Sequence, residues 1–141
     1  MGIEDIGKFA PGSFDTILLM MNNFGLLQSF EKAQKLLRKI HRISSADAII
    51  IASSNDPYAT KNMDHIRYHE YNKQRGRMGG QLRLRVRFGK YATDWFDYLI
   101  VSKKEMKAIL KDTGWEAKRF IDSETSGQYM ALITRKPCVL C

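Results

Sequence analysis

Two apolar runs in the first third of the chain predict two buried β-strands. Residues 14–21 read FDTILLMM and residues 47–53 read DAIIIAS, without alternation of polar and apolar positions. A half-exposed strand alternates, so both strands are expected to be covered on both faces, as inside a parallel sheet. Between them, residues 28–43 carry apolar side chains at spacings of three and four, and Ser29 is placed to cap the first turn. The pattern predicts a strand–helix–strand unit with parallel strands.

A polar helix is predicted after the second strand, over residues 60–75. It carries His65 and His69 four residues apart, a spacing that can present two imidazoles to one metal ion. The sequence offers no third ligand and no H-E-x-x-H pattern around them. We therefore interpret this segment as a solvated or substrate-facing helix and expect no metal site.

The segment over residues 81–101 predicts a β-hairpin with two unlike faces. Its first strand alternates apolar residues with arginines, and residues 89–93 connect it to a return strand. The arginines are Arg83, Arg85 and Arg87. Two interpretations remain open for them. Either acids on the return strand, such as Asp97, neutralise them across the hairpin, or the guanidinium groups receive an anionic substrate.

The last third of the chain predicts a helix and two strands. Ser102 and Glu105 have the spacing of a capping box at the start of a helix over residues 102–114. Strands over 116–121 and 128–134 follow, and the short turn between them predicts antiparallel pairing.

Composition predicts one globular domain over residues 1–141, and the pattern of strands and helices predicts that it is of the α/β class. The chain is 44% hydrophobic and 27% charged, and its net charge of +8 favours anionic partners. The two cysteines, Cys138 and Cys141, do not suggest a disulfide scaffold and suit a reducing compartment. No apolar run is long enough to span a bilayer, and no signal pattern opens the chain. A cytoplasmic protein without a membrane partner is expected.

Several of these segments, in this order, resemble the second half of a class I S-adenosylmethionine (SAM) dependent methyltransferase. The resemblance rests on GSFDTILLMMNNFG, a helix ending in LLRKIHRI, the strand AIIIASSNDPY, the segment SKKEMKAILKDTGW and the two final strands. It implies a Rossmann-like sheet with the family's strands in the order fourth, fifth, seventh and sixth, the last strand antiparallel, and helices flanking it. The Gly-rich G-x-G-x-G loop of the family's first half is absent from the sequence.

The resemblance also implies where ligands bind. The loop after the fourth strand, here Asn22, Asn23, Phe24 and Gly25, is expected to border the cofactor SAM. For the two asparagines, ordinary turn chemistry is an equally good explanation, because Asn tolerates left-handed backbone. The resemblance further implies that residues 54–101 are an insert, and this insert is expected to cover the substrate.

On the substrate side, the resemblance points to Tyr58 and to the three hairpin arginines Arg83, Arg85 and Arg87. The substrate is expected to be a small molecule, with an anionic group as the arginines' natural partner. The predicted function is that of a SAM-dependent methyltransferase, or a piece of one that binds SAM weakly because the Gly-rich loop is missing.

The competing hypothesis is a non-catalytic basic α/β module that binds nucleic acid or an acidic partner. We rank it second because few aromatic residues interleave with the arginines. In either case, residues 14–21 lack the neighbouring strand that the family has. An exposed apolar edge favours pairing with another chain, so a homo-oligomer is expected.

Overall fold

The structure is a computed structural model that describes residues 2–137 and contains one four-stranded sheet and two short ribbons. Two 3-10 helices, Ile3–Lys8 and Asn23–Leu27, flank the first strand. The helices are α1 (Phe30–Ile43), α2 (Met63–Gln74) and α3 (Lys103–Leu110). The strands are β1 (Phe14–Leu19), β2 (Ser44–Asn55), β3 (Gln81–Leu84), β4 (Arg87–Phe88), β5 (Tyr91–Ala92), β6 (Phe96–Leu99), β7 (Trp115–Asp122) and β8 (Gln128–Arg135). The cysteines discussed above lie outside the described residues.

The order of the main sheet confirms the sequence prediction. Its strands run β1-β2-β8-β7, with β1 and β2 parallel and β8 antiparallel to both of its neighbours. This is the order fourth, fifth, seventh and sixth of the expected fold. It leaves β1 at an edge of the sheet.

The helix caps that the sequence predicted are present. The Ser29 hydroxyl accepts from the backbone N–H of Lys32 at the start of α1. At the start of α3, the Ser102 hydroxyl accepts from the Glu105 N–H while the Glu105 carboxylate accepts from the Ser102 N–H. These bonds satisfy backbone donors that have no partner inside the helix. Both helices therefore begin where their sequences specify.

The core lies between one face of the sheet and helices α1 and α3. The sheet contributes alternate residues of β2 and β8, and the helices contribute their apolar stripes. These residues are Ala48, Ile50, Ala52, Ala131, Ile133, Ala33, Leu36, Leu37, Ile40, Met106, Ile109 and Leu110. Trp115, at the start of β7, is fully buried and donates its indole N–H to the carbonyl of Leu37 (3.0 Å).

The opposite face of the sheet is open, which corrects the expectation that β1 is covered on both sides. Leu18 of β1 is 62% exposed and Ile121 of β7 is 51% exposed. Between them, Ile51 and Leu132 are half-buried. The reason is that α1 and α3 both contribute to the core on the same face. An unalternating apolar run indicates that a strand has two apolar sides, but it does not identify what covers them.

The insert after β2 forms the predicted hairpin, but in two parts. The base pairs β3 with β6, and the tip pairs β4 with β5, with Gly89 in left-handed backbone (φ 56°) between the tip strands. The expected apolar face ends at Leu84, because Val86 and Phe88 are exposed. The tip extends past the surface that covers the base.

Within residues 2–137, no helix is both long and apolar enough to cross a membrane.

Candidate functional site at the carboxyl edge of the sheet

The loop after β1 is held in an unusual backbone conformation. Met21 and Asn22 are consecutive residues with positive φ, 54° and 63°, a region that side chains other than glycine rarely adopt. Two contacts hold the loop in place. The Asn22 N–H donates to the Ser53 hydroxyl on β2 (2.9 Å), and the Tyr98 hydroxyl donates to the Asn22 carbonyl. Such over-determined strain is frequently found at ligand sites.

The four residues predicted to border a cofactor fall into two groups. Phe24 is fully buried in the core, and Gly25 lies under the Tyr98 ring, where an added Cβ would be 2.5 Å from ring atoms. Phe24 and Gly25 therefore set the shape of the loop. Asn23 is exposed and Asn22 is half-buried, so these two present the polar surface that a ligand can reach. The left-handed conformation of Asn22 also agrees with the turn-chemistry interpretation.

A cavity of about 650 Å³ lies beyond the carboxyl end of β2. Asn55 at the end of β2 and Asp56 directly after it line the cavity, with His65 and Tyr68 from α2 and Arg83 from the hairpin base. The Asn55 Oδ1 atom is itself buried, and it has no hydrogen-bond partner among residues 2–137. The cavity thus combines a cation, a carboxylate, an amide and aromatic surface.

The two histidines of α2 have different surroundings. His65 Nδ1 lies 3.1 Å from the Thr60 hydroxyl. His69 is buried and stacks edge-on against Tyr58 (ring centroids 5.6 Å apart). Burial lowers the pKa of His69, and the nearby charges of His65 and Lys73 lower it further, which favours the neutral ring. Among residues 2–137 no group of three or more His, Cys, Asp or Glu side chains converges on a point that could hold a metal ion.

Tyr58, the predicted substrate-side residue, lies in the packing between α2 and α3. Its hydroxyl donates to the Glu105 carboxylate at the start of α3, and Lys73 lies 4.5 Å from its ring centroid. Burial and the Glu105 carboxylate both raise the pKa of Tyr58. The contacts give Tyr58 a part in fixing α2 against α3, and its hydroxyl is already engaged.

The three hairpin arginines have different surroundings. Asp97 lies opposite Arg83 in the β3–β6 register, and their side chains approach to 3.9 Å, as the cross-strand interpretation predicted. Arg77 binds the same carboxylate more closely, at 2.8 Å. Arg85 and Arg87 lie further out and form no ion pair within the described part of the chain. Arg83 alone of the three lines the cavity.

Sequence reasoning missed several cavity residues. Asn55 and Asp56 were not predicted as site residues, although they lie at the carboxyl end of a buried strand. The position itself is a usable signal, because open α/β sheets bind ligands at the carboxyl ends of their strands. Gln128 had no local signal: it reaches the cavity because β8 pairs with the end of β2.

Solved structures with similar folds are SAM-dependent methyltransferases. One from Bacteroides fragilis, in complex with S-adenosyl-L-homocysteine, is 26% identical in sequence, with a TM-score of 0.70. The match covers 91% of this chain and 50% of the Bacteroides fragilis chain. One from Methanosarcina mazei is 14% identical, with a TM-score of 0.64, and the match covers 92% of this chain and 62% of the Methanosarcina mazei chain. No family model and no curated protein matches the sequence. The chain therefore spans only part of the length of its structural neighbours.

Proposed function

We propose that this chain, which has the fold of the class I SAM-dependent methyltransferases, is the substrate-side part of such an enzyme. The observation that carries the proposal is the cavity at the end of β2, in a sheet whose strand order is that of the family. Ligands of open α/β sheets bind at this edge. The strained loop after β1 lies at the same edge and is proposed as the cofactor side.

The residues present fit only part of the cofactor. Asn22 and Asn23 offer amide groups, and exposed Met21 offers apolar surface, at one side of a ligand. The loop over residues 20–27 contains no acidic side chain, and the sequence contains no G-x-G-x-G pattern. These residues form one wall of a site and do not by themselves hold a whole SAM molecule.

The cavity supports a small substrate that is partly apolar and carries an anionic group. Its volume is in the range of about 300 to 1,000 Å³ that small-molecule sites have. Leu82, Leu84 and Tyr68 supply apolar surface, and the Arg83 guanidinium supplies a cation that matches a carboxylate or phosphate.

In this proposal the protein acts mainly by orientation. Arg83 lies 3.9 Å from the Asp97 carboxylate, which also accepts from Arg77 and from the Gln81 amide (3.0 Å). The Arg83 guanidinium is proposed to set the direction of an anionic substrate in the cavity. Positioning two reactants in this way contributes several kcal/mol to a bimolecular transfer.

The test is a chemical-shift titration of the ¹⁵N-labelled chain with two probes. S-adenosylhomocysteine is expected to shift the amides of Met21, Asn22 and Asn23. Naphthoate, an aromatic carboxylate, is expected to shift the amides of His65 and Arg83, and neutral naphthamide to do so more weakly.

The matched variants are Arg83→Gln in the cavity and Arg119→Gln, an exposed arginine of β7. Arg83→Gln should remove the preference for naphthoate over naphthamide, and Arg119→Gln should leave it unchanged. Unchanged loop and cavity amides at millimolar probe would overturn the proposal.

We further propose that β1 and the open face bind a second copy of this chain. The backbone groups of β1 on its outer edge have no neighbouring strand among residues 2–137. Leu18 places apolar surface beside that edge, and Ile121 of β7 extends the apolar surface to the far side of the open face. Edge strands of this kind are templates for pairing between chains.

A further inference from the structure

The tip of the hairpin, residues 85–95, exposes three large aromatic side chains. Phe88 is 84% exposed, Tyr91 is 69% exposed and Trp95 is 57% exposed. Phe88 and Tyr91 lie directly opposite each other in the β4–β5 register. Aromatic surface left in water at this density marks an interaction site. The sequence pattern around the arginines did not reveal this exposed cluster, because a pattern does not distinguish buried rings from exposed ones.

The same tip carries an excess of positive charge. Arg85, Arg87 and Lys90 are exposed, and Asp94 is the acidic residue beside them. None of the three cations forms an ion pair with any of residues 2–137. The wider segment over residues 60–95 has nine basic and three acidic residues, so it holds six of the chain's eight net positive charges. The tip therefore belongs to a strongly basic segment of the chain.

We propose that the hairpin tip binds single-stranded nucleic acid. Bases stack on Phe88, Tyr91 and Trp95, and phosphates contact Arg85, Arg87 and Lys90. Proteins that bind single strands combine cations that follow the backbone with aromatic rings on which unpaired bases stack. A duplex keeps its base faces covered, so it can use the cations but not the rings.

Two features favour nucleic acid over an anionic membrane. Two of the three cations are arginines, whose planar forks match phosphate bidentately. The tip also places a basic and an aromatic residue next to each other on both sides of its turn, Arg87 with Phe88 and Lys90 with Tyr91. This inference does not depend on the proposed methyltransferase function, because the tip is separate from the cavity at the hairpin base.

The experiment is a fluorescence anisotropy titration with labelled oligothymidylate of about 20 nucleotides, longer than one binding site of this kind. Binding is expected at low salt, and with three cations engaged the slope of log affinity against log salt should be about −2. Trp115 is fully buried, so quenching of tryptophan emission would report on Trp95. The matching duplex should bind more weakly and without quenching.

Paired variants separate the two kinds of contact. Arg85→Gln with Arg87→Gln should weaken binding about tenfold at low salt. The slope of log affinity against log salt should flatten to about −0.7, because one cation remains. Phe88→Ser with Tyr91→Ser should weaken binding about tenfold with an unchanged salt slope. Lys118→Gln with Arg119→Gln removes two exposed cations of β7 and is the matched control, expected to change affinity less than twofold.

Three results would overturn the proposal. The first is no binding to the oligonucleotide at low salt. The second is an equal loss in the β7 control, which would indicate a general effect of net charge. The third is binding to vesicles of anionic phospholipid without binding to the oligonucleotide, which would identify the tip as a membrane contact.

Discussion

The two faces of the main sheet are similar in sequence and opposite in environment. Ile50 and Ile133 face α1 and α3 and are fully buried. Ile51 follows Ile50 on β2, and Leu132 precedes Ile133 on β8. Both point to the open face and are half-buried. Both pairs of residues belong to the same two hydrogen-bonded strands, because successive side chains of a strand point to opposite faces of the sheet. The difference therefore isolates what helix packing adds to a paired strand.

The comparison indicates that folding stability and binding capacity are divided between the faces. Close packing makes the covered face sensitive to any loss of volume. The open face keeps apolar surface against which no other part of residues 2–137 packs closely. Substitutions at neighbouring positions can test this division directly.

The largest expected effect is a difference in stability between Ile50→Ala and Ile51→Ala. Ile50→Ala leaves a cavity under α1 and α3 and should lower the free energy of unfolding by about 3 kcal/mol. Ile51→Ala removes the same atoms from a half-buried site and should cost about 1 kcal/mol. Urea denaturation at low protein concentration measures both. Equal losses would show that the open face is as closely packed as the covered one.

The second prediction concerns self-association. Leu18→Glu places a charge on the open face beside the β1 edge, and it should weaken dimerisation at least about tenfold, because a buried carboxylate without a partner is costly. Sedimentation velocity across a concentration series measures the change. Thr125→Glu, in the exposed β7–β8 turn, is the matched control and should leave association unchanged. A parent chain that is monomeric at high micromolar concentration would contradict the dimer.

The helix starts were predicted from local chemistry, because Ser29 and Ser102 precede their helices. The apolar runs of β1 and β2 have strand length, but the order of the main sheet was implied by the resemblance to the methyltransferase family. The face that each strand buries is a different matter. Leu18 and Leu19 are the same residue type, yet Leu18 is exposed and Leu19 is buried.

The candidate site was predictable only in part, because it forms where distant segments meet. The alternation of the hairpin located Arg83 and its partner Asp97. The cavity also requires His65 from α2 and Gln128 from β8, which no local pattern connects. Exposure of the tip aromatics likewise follows from where the hairpin base stops contacting the rest of the molecule.

The smallest expected effect is a pH dependence that originates on the covered side. His41, in the last turn of α1, stacks edge-on against Trp115, and the Arg135 guanidinium lies 3.2 Å from its Nδ1 atom. Burial lowers the pKa of His41 from 6.5, and the charge of Arg135 lowers it further. The neutral ring can accept from Arg135, whereas a protonated ring repels it.

The folded state therefore takes up the proton at His41 at lower pH than the unfolded chain does. Between the two pKa values the unfolded chain binds more protons, so stability rises with pH and falls as pH drops below about 6.5. His41→Gln should reduce this slope in urea denaturation at pH 7.5 and 5.5. His65→Gln, on the exposed side of α2, is the control. Because Ile51 lies on the open face, Ile51→Ala should leave the slope intact; a slope that persists fully in His41→Gln would assign the pH dependence to other groups.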